Sequence, residues 1–385
     1  MTAGPSVETR RLDIDQLRNA IVLSLIVFHT ARLFNRQPWH IKDALTYREA
    51  DIAVALLDVP SMPLLFMLAG ASAFFALRRR GVGQFLLERV RRLFVPLVFG
   101  ILALVTPQVY VERISPEVPG RHSPIDFTGS YLDFLPGAFG CCYPAANLSW
   151  HHLWFLAYLM AYAVVLAPVF QWLSTERGRT LVARLTGLVA PGWRIFLVAL
   201  PIVAIELALR RRFPSTHDLA ADWANHAHYI FLMVVGWCVA SSAGLDDAIK
   251  RNRIVAAIGT VALIVAWFSM PRGFPATALA IRMAAEWFSL VALLGLARVH
   301  LGRPIPFLAA FTRHALPFYL VHQTVIVLLG WALFSWSGEP LAKFAAVAVL
   351  SLVISYGLAR AADLSAPTRF LFGMPLSVPP RTSTS

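Results

Sequence analysis

DQLRNAIVLSLIVFHTAR, residues 15–32, combines an apolar helical pattern with ionisable side chains. Arg18 and His29 are eleven residues apart, which at 100° per residue places them on one helix face, about 16 Å apart along the axis. Asp15 and Arg32 lie near that face too. A membrane-spanning helix carries such groups where they face protein or water. The stretch therefore predicts a transmembrane helix whose polar face points into the protein.

The composition of the whole chain is that of an integral membrane protein. Of its 385 residues, 58% are hydrophobic and 14% are charged, whereas a soluble domain has about 25% charged residues. The mean hydropathy is +0.63. The net charge of +13 could suggest nucleic-acid binding, but the basic residues form short clusters between apolar runs, as cytoplasmic loops of membrane proteins do. We therefore expect the lipid bilayer, and no nucleic acid, as a partner.

Apolar runs of membrane-spanning length, about 17 to 25 residues, occur ten times along the chain. They cover residues 14–34, 55–77, 93–111, 152–173, 194–210, 227–243, 254–270, 275–297, 315–334 and 341–361. This pattern predicts an all-α, polytopic fold of about ten transmembrane helices, with both termini on one side. When that side is the inside, 22 Lys and Arg residues fall in inner segments and 11 in outer ones. We therefore expect both termini to be cytoplasmic.

One membrane domain with two flanking segments accounts for the chain. We expect a cytoplasmic N-terminal segment at 1–13, a transmembrane domain at 14–361 and a cytoplasmic C-terminal tail at 362–385, with its last dozen residues disordered. The long extracytoplasmic loop 112–150 contains five prolines, which interrupt regular structure. Such a loop is expected to cap or enter an outward-facing cavity.

Four basic side chains in or beside the spans each have a structural and a functional interpretation. Arg18 either reaches the inner headgroups or holds an anionic or polarised group. His29 either hydrogen-bonds a neighbouring helix or acts as a general base, because imidazole titrates near the working pH. Arg89 and Arg92 share a helix face, and they either anchor a cytoplasmic loop or clamp phosphates.

Histidines and aromatic residues at two further spans are candidates for lining a substrate channel. His151, His152 and Trp154 stand where the long outer loop enters the fourth span, and Tyr319 precedes His322 by one turn in the ninth. The structural alternative is a Trp in the aromatic belt and histidines that are solvated or hydrogen-bonded to other helices.

Opposite charges occur at i,i+4 spacing inside two predicted spans. Arg282 and Glu286 lie in the eighth span, and Glu206 and Arg210 lie in the fifth. Buried opposite charges in a membrane usually pair with each other. We therefore expect both pairs to form, with lining of the substrate path as the alternative for Arg282 and Glu286.

Metal-binding patterns are weak in this sequence. His226 and His228 stand near Asp222 without an apparent further ligand. The three cysteines have neither a disulfide framework nor metal-site spacing. We expect no bound metal.

Several segments together resemble the acyltransferase type 3 family of integral-membrane O-acyltransferases. Arg18-x10-His29 on the first helix resembles the family signature, and Arg89-x-x-Arg92 resembles its RxxR motif. The other matching segments are MPLLFMLAGASAFFAL at 62–77, ERVRRLFVPLVFG at 88–100, HHLWFLAYL at 151–159 and FYLVHQTVI at 318–326. The last two are most similar to the branch that includes glucan-modifying succinyltransferases. The resemblance covers most of residues 10–360.

This resemblance implies a multi-pass enzyme of the inner (plasma) membrane. It would move an acyl group, acetyl or succinyl, from cytoplasmic acyl-CoA to a hydroxyl of an extracytoplasmic glycan or related acceptor. His29 and Arg18 would be catalytic, Arg89 and Arg92 would bind the donor phosphates, and acyl-CoA would be a co-substrate rather than a bound cofactor. The alternative is a transporter or flippase of an anionic solute or lipid-linked glycan, in which the intramembrane charges form a translocation path.

Overall fold

Long helices account for most of the protein in the computed structural model, which describes residues 11–115, 125–271 and 273–376. No β-strand occurs among these residues. The longer helices are α1 (Leu12–Phe34), α2 (Arg48–Arg79), α3 (Val82–Ile114), α4 (His151–Leu173), α5 (Glu176–Val189), α6 (Arg194–Leu209), α7 (Trp223–Ser241), α8 (Ala243–Ser269), α9 (Pro275–His300), α10 (Ala315–Ala332) and α11 (Pro340–Ala361). The expected all-α, polytopic membrane fold is confirmed.

The number of membrane spans stays a prediction. Eight of these helices, all except α5, α6 and α7, are long and apolar enough to cross a membrane. A ninth candidate is the pair α5 and α6, which meet at an angle of 116°. The predicted span 194–210 corresponds to α6, which is only about 24 Å long against a hydrocarbon core of about 30 Å. The predicted span 227–243 corresponds to α7, whose polar first turns dilute its apolar character. The cytoplasmic location of the termini likewise stays a prediction.

Helix α1 is enclosed by protein, since it packs against α2, α9, α10 and α11. Its apolar side chains, such as Leu25, are buried together with the polar Gln16 and Asn19. The two amides donate hydrogen bonds of 2.8 Å to the backbone carbonyls of Leu301 and Leu308. Buried polar groups require such partners. These amides lie on another side of α1 from Arg18 and His29, which are half-buried and contact Ser72 of α2 and His322 of α10. The predicted polar face therefore contacts protein as well.

Helices α2 and α7 cross at a pair of glycines. A Cβ atom on Gly70 would lie 1.9 Å from the carbonyl oxygen of Met233, and one on Gly236 would lie 1.9 Å from that of Met67. Only glycine permits so close an approach of two backbones, a device that is common between membrane helices.

Two helices expose apolar faces of the kind that contacts lipid. On α8, Ile258 is 66% exposed and Val261 is 64% exposed, and on α11, Val353 is 62% exposed. Contiguous apolar surface of this extent is uncommon on soluble monomers. These faces are consistent with a lipid environment around the bundle.

The loop 112–150 contains more regular structure than its prolines suggest. A short helix, Tyr131–Phe134, begins after Ser130, whose hydroxyl accepts a hydrogen bond from the backbone N–H of Asp133. This N-cap hydrogen bond stabilises the start of the short helix, although prolines lie nearby in the loop. Three of the five prolines lie at residues 116–124, outside the described residues.

The first part of the C-terminal tail packs on the membrane domain. A helix at Ala366–Leu371 precedes Phe372, whose ring centroid lies 5.1 Å from that of Phe99 in α3. Met374 is buried. Residues 377–385, most of the stretch predicted to be disordered, lie outside the described residues.

Candidate functional site

Three histidines from three separate helices converge inside the bundle. His29 lies on α1, His152 lies in the first turn of α4 and His322 lies on α10. The ring centroid of His322 is 5.1 Å from that of His29 and 5.2 Å from that of His152. His322 is fully buried, His152 is buried and His29 is half-buried. These three residues form the histidine cluster.

Backbone carbonyls fix the tautomers of two of the rings. His322 Nδ1 lies 2.6 Å from the carbonyl oxygen of Tyr319, and His152 Nε2 lies 3.1 Å from that of Leu320. A carbonyl oxygen only accepts, so each of these nitrogens donates, and the other nitrogen of each neutral ring carries a lone pair. Within the part of the chain that the structure describes, His322 Nε2, His152 Nδ1 and His29 Nδ1 are buried without a hydrogen-bond partner. Such unsatisfied nitrogens in a protein interior point to a functional site.

Aromatic side chains enclose the histidine cluster. The ring centroid of Tyr319 lies 5.6 Å from that of His322 and 5.7 Å from that of His152, and the Tyr319 hydroxyl donates to the backbone carbonyl of His152. Trp39 stacks on His29 with ring centroids 5.9 Å apart. These contacts hold the imidazoles in place. The structure thus brings together His29, His152, Tyr319 and His322 from the set of sequence candidates.

A network of amides lies next to the histidine cluster. Gln323, beside His322 in α10, donates from Nε2 to Oε1 of Gln108 on α3 over 3.0 Å. The same oxygen lies 3.3 Å from His151 Nδ1. Gln108 Nε2 donates to the Thr324 hydroxyl over 2.7 Å. This network joins α3, α4 and α10 at the cluster.

Arg18 lies toward the opposite end of α1 from His29. Its Nη2 donates to the Ser72 hydroxyl of α2 over 2.8 Å, and its Nη1 pairs with Asp15 at 3.2 Å. Eleven residues of helix separate Arg18 from His29, which corresponds to about 16 Å. The structure therefore does not bring Arg18 into contact with the histidine cluster.

Several arginines form a basic region around Arg18. Arg89 of α3 interacts electrostatically with Arg92, Arg18 and Arg80. Its guanidinium lies 4.8 Å from the ring centroid of Phe85, and no ion pair joins it to a carboxylate among the described residues. Arg92 pairs with Glu88 at 3.5 Å. The predicted donor-binding residues and Arg18 therefore share one end of the bundle.

Arg282 and Glu286 form ion pairs with different partners from those the sequence indicates. Arg282 pairs with Asp58 of α2 at 2.7 Å, and Glu286 lies 2.6 Å from His228 Nε2. The prediction of a direct ion pair between Arg282 and Glu286 is therefore wrong, although the two remain in electrostatic interaction. Partners on α2 and α7 outcompete the i,i+4 neighbour because interhelical packing positions them closer.

The charged groups of α6, α7 and α9 form a buried network apart from the histidine cluster. Arg210 Nη2 lies 2.8 Å from Glu206 Oε1, which confirms the predicted pair, and the same oxygen lies 2.8 Å from His228 Nδ1. Glu286 joins this network through His228. His226 instead contacts the Tyr162 hydroxyl at 2.8 Å. His226 and His228 thus point to different partners and do not act as a pair of ligands.

The ring of Trp154 contacts aromatic residues outside the histidine cluster. Its ring stacks on His217 at 4.1 Å and lies 6.0 Å from the ring of Tyr229. The next residue, Phe155, contacts Tyr319 at 6.0 Å. Trp154 therefore belongs to an aromatic wall between the loop before α7 and the cluster.

A group of polar residues beside the cluster has almost no signal in the sequence. His40, Glu112 and Gln108 lie next to His151, on segments that the topology brings together. His40 lies in the loop between α1 and α2, and Glu112 lies in the last turn of α3. Neither residue therefore belongs to a periodic pattern of polar positions. The adjacent histidines at 151 and 152 are the one signal in the sequence that marks this region.

Comparison with known protein families gives one match. A family model described as an acyltransferase domain matches residues 11–360. No curated protein and no solved structure matches the chain. The matched range includes α1 to α11 almost entirely, with all members of the histidine cluster and with Arg18, Arg89 and Arg92.

Proposed function

This chain belongs to the acyltransferase type 3 family and is a membrane acyltransferase, and we propose that it acylates a hydroxyl of an extracytoplasmic glycan or related acceptor. The proposed donor is a cytoplasmic acyl-CoA carrying an acetyl or succinyl group. The proposed location is the inner (plasma) membrane, with acyl-CoA acting as co-substrate rather than as a bound cofactor. We propose the glucan-modifying branch of the family on the resemblance of residues 151–159 and 318–326 to that branch.

The convergence of His29, His152 and His322 is the observation that carries this proposal. A hydroxyl is a weak nucleophile until a base removes its proton, and a positioned imidazole contributes about 10²- to 10⁴-fold to such steps. His29 is the half-buried member, so we assign the role of general base to it. Of the three rings, it is the one with the largest exposed fraction.

In the proposed reaction the acceptor oxygen attacks the thioester carbonyl carbon while His29 takes the hydroxyl proton. The carbon–sulfur bond then breaks, the acyl group remains on the acceptor oxygen, and the CoA thiolate leaves and takes a proton from the imidazolium. No net oxidation or reduction occurs, and the imidazole is regenerated. Intact-mass measurement after mixing with acyl-CoA alone distinguishes this direct transfer from an acyl-enzyme intermediate.

His322 is proposed as a positioning residue for His29. Its Nδ1–H is held by the Tyr319 carbonyl, so the Nε2 lone pair is available to an N–H of the neighbouring His29 ring. A hydrogen bond between the two rings would fix the tautomer of His29 and stabilise its protonated form. Apo structures often show such catalytic hydrogen bonds longer than in the complex.

The basic region around Arg18 supports an anionic donor at the opposite end of α1. Arg89 has no carboxylate partner among the described residues and lies near three other guanidiniums, an unfavourable arrangement that a bound polyanion relieves. Guanidiniums bind phosphates bidentately. We assign Arg89 and Arg92 to the CoA phosphates, and Arg18 to positioning or stabilising the reacting groups between them and His29.

The experiment that tests this proposal measures both products. The purified protein in detergent is incubated with acetyl-CoA or succinyl-CoA and with glycans from the cell envelope. Release of free CoA thiol together with a mass increase of the glycan supports acyl transfer, whereas a transporter or flippase gives neither. Mass spectrometry of envelope glycans from cells with and without the gene then identifies the acceptor.

A further inference from the structure

A second cluster of ionisable side chains lies beside the histidine cluster and has no part in the proposed reaction. His40 Nδ1 lies 3.0 Å from Glu112 Oε2, and His151 Nε2 lies 4.0 Å from the same oxygen. One ligand atom from each of the three residues can be chosen so that all lie within 4.8 Å of one another. We propose that His40, Glu112 and His151 form a binding site for a divalent transition-metal ion of the zinc type.

The donor set suits such an ion. Two imidazoles and one carboxylate are the protein ligands of many zinc sites, with water in the fourth position. Ligand atoms at about 2.1 Å from a tetrahedral ion are about 3.4 Å apart, so atoms now about 4.8 Å apart would move by about 0.7 Å each. The two imidazole rings are stacked, with centroids 4.0 Å apart and planes 10° from each other, so one ring must rotate about its side-chain bonds before both nitrogens can point at one ion. Closing the site therefore requires side-chain adjustment without rearrangement of the helices.

The two oxygens of Glu112 have different surroundings, which leaves one of them for a cation. Oε1 accepts a hydrogen bond of 2.9 Å from the Tyr143 hydroxyl and lies 3.8 Å from Arg113 Nη1. Oε2 faces the two histidines.

Arg113 is the group that opposes a cation here, and its other contacts limit that effect. Its Nε donates to Asn147 Oδ1 over 3.0 Å, and its Nη2 donates to the carbonyls of Pro144 and Ala146 over 3.1 and 2.8 Å. These acceptors offset part of its charge. The 3.8 Å separation from Glu112 is also beyond hydrogen-bond distance.

The surroundings of His151 match those of a metal ligand. Its Nδ1 lies 3.3 Å from Gln108 Oε1, and that oxygen also accepts from Gln323 Nε2. Because an amide oxygen accepts, His151 Nδ1 donates, which leaves the Nε2 lone pair on the side of Glu112. Metal-bound histidines generally donate their second ring N–H to an oxygen in this way, and this outer contact fixes the ring orientation.

Such an ion would tie together three segments that converge at the histidine cluster. His40 lies in the loop between α1 and α2, Glu112 lies near the end of α3, and His151 begins α4. The ring of His40 also lies 5.4 Å from that of Trp39, which stacks on His29. A bound ion would therefore hold in place residues that enclose the histidine cluster. This role does not depend on the acceptor or the acyl group.

Metal content is the direct test. The full-length protein, purified in detergent through a tag without histidines, is stripped with a chelator, reloaded with Zn²⁺ or with Mg²⁺, and desalted. We expect about one zinc per chain and no magnesium in the wild type. His40→Ala and Glu112→Gln should lower zinc affinity by at least about tenfold, whereas His300→Ala and Glu176→Gln, at exposed positions, should bind zinc as the wild type does. Zinc should also raise the unfolding temperature of the wild type but not of His40→Ala.

Two results would overturn the proposal. If the reloaded wild-type protein holds less than about a tenth of an equivalent of zinc, then His40, Glu112 and His151 form an ion-paired group and not a zinc site. Equal zinc content in His40→Ala and His300→Ala would place the ion elsewhere. If Glu112→Gln does not fold, the half-buried His40 still provides the decisive variant.

Discussion

His29 of α1 and His322 of α10 face each other with ring centroids 5.1 Å apart, and His322 is held by a hydrogen bond from its Nδ1 to the Tyr319 carbonyl. The acceptor nitrogen of the fully buried His322 ring faces the half-buried His29 ring. The two residues therefore differ in accessibility while sharing one electrostatic environment. This difference separates the proposed base from the residue proposed to position it.

Replacing His322 with Ala should lower the turnover number by about 10- to 100-fold, a smaller loss than removal of the base itself. The Michaelis constant for acyl-CoA should change little, because the donor phosphates bind at the other end of α1. The measurement is release of free CoA thiol at saturating and at limiting donor. His322→Gln, which keeps a hydrogen-bonding side chain, should recover part of the activity. A positioning role is excluded if His322→Ala and the exposed control His300→Ala have the same turnover number.

Replacing Arg89 and Arg92 together with Gln should raise the Michaelis constant for acyl-CoA by about tenfold or more, because each charged hydrogen bond between a guanidinium and a phosphate contributes about 1.5 kcal/mol or more to binding. The effect should shrink at high ionic strength, where the wild-type interaction is itself screened. The matched control is Arg177→Gln with Arg179→Gln, which removes the same charge from exposed positions of α5. If the Michaelis constant for acyl-CoA is unchanged in the Arg89 and Arg92 variant, these residues serve as membrane anchors and do not bind the donor.

Replacing Gly70 with Ala should destabilise the protein by about 1–3 kcal/mol, because the added Cβ would collide with the Met233 carbonyl on α7. Gly357→Ala is the control, since a Cβ at that helical position meets no atom within 4 Å. The control should be neutral or slightly stabilising. Thermal unfolding in detergent measures both. Equal unfolding temperatures for the two variants would show that α2 and α7 do not cross closely at this glycine.

The predictable features of the fold and the site are those that follow from the spacing of residues within one helix. The eleven-residue spacing of Arg18 and His29 and the apolar run around them predicted a helix whose polar face contacts protein, and in α1 these two side chains contact Ser72 of α2 and His322 of α10. The i,i+4 spacing also predicted the pair of Glu206 and Arg210. In both cases the interacting positions are fixed by a single helix.

The parts that were not predictable depend on packing between distant segments. Arg282 pairs with Asp58 of α2 rather than with Glu286, and no pattern in either helix encodes that choice. His40, Glu112 and His151 meet only because α3 and the loop after α1 close on the start of α4. The bend of 116° between α5 and α6 is different, because Pro191 and Gly192 between the two helices mark a break that is local in the sequence.

The assignment of His29 as the base of the acyltransferase is tested by His29→Ala in the purified enzyme. The variant and the control His300→Ala are first compared by size-exclusion profile and unfolding temperature, and then incubated with acyl-CoA and the acceptor glycan. We predict that His29→Ala folds like the wild type and loses at least about 10²-fold in both CoA release and glycan acylation, while His300→Ala retains both. A folded His29→Ala protein with wild-type turnover would show that His29 is not the base.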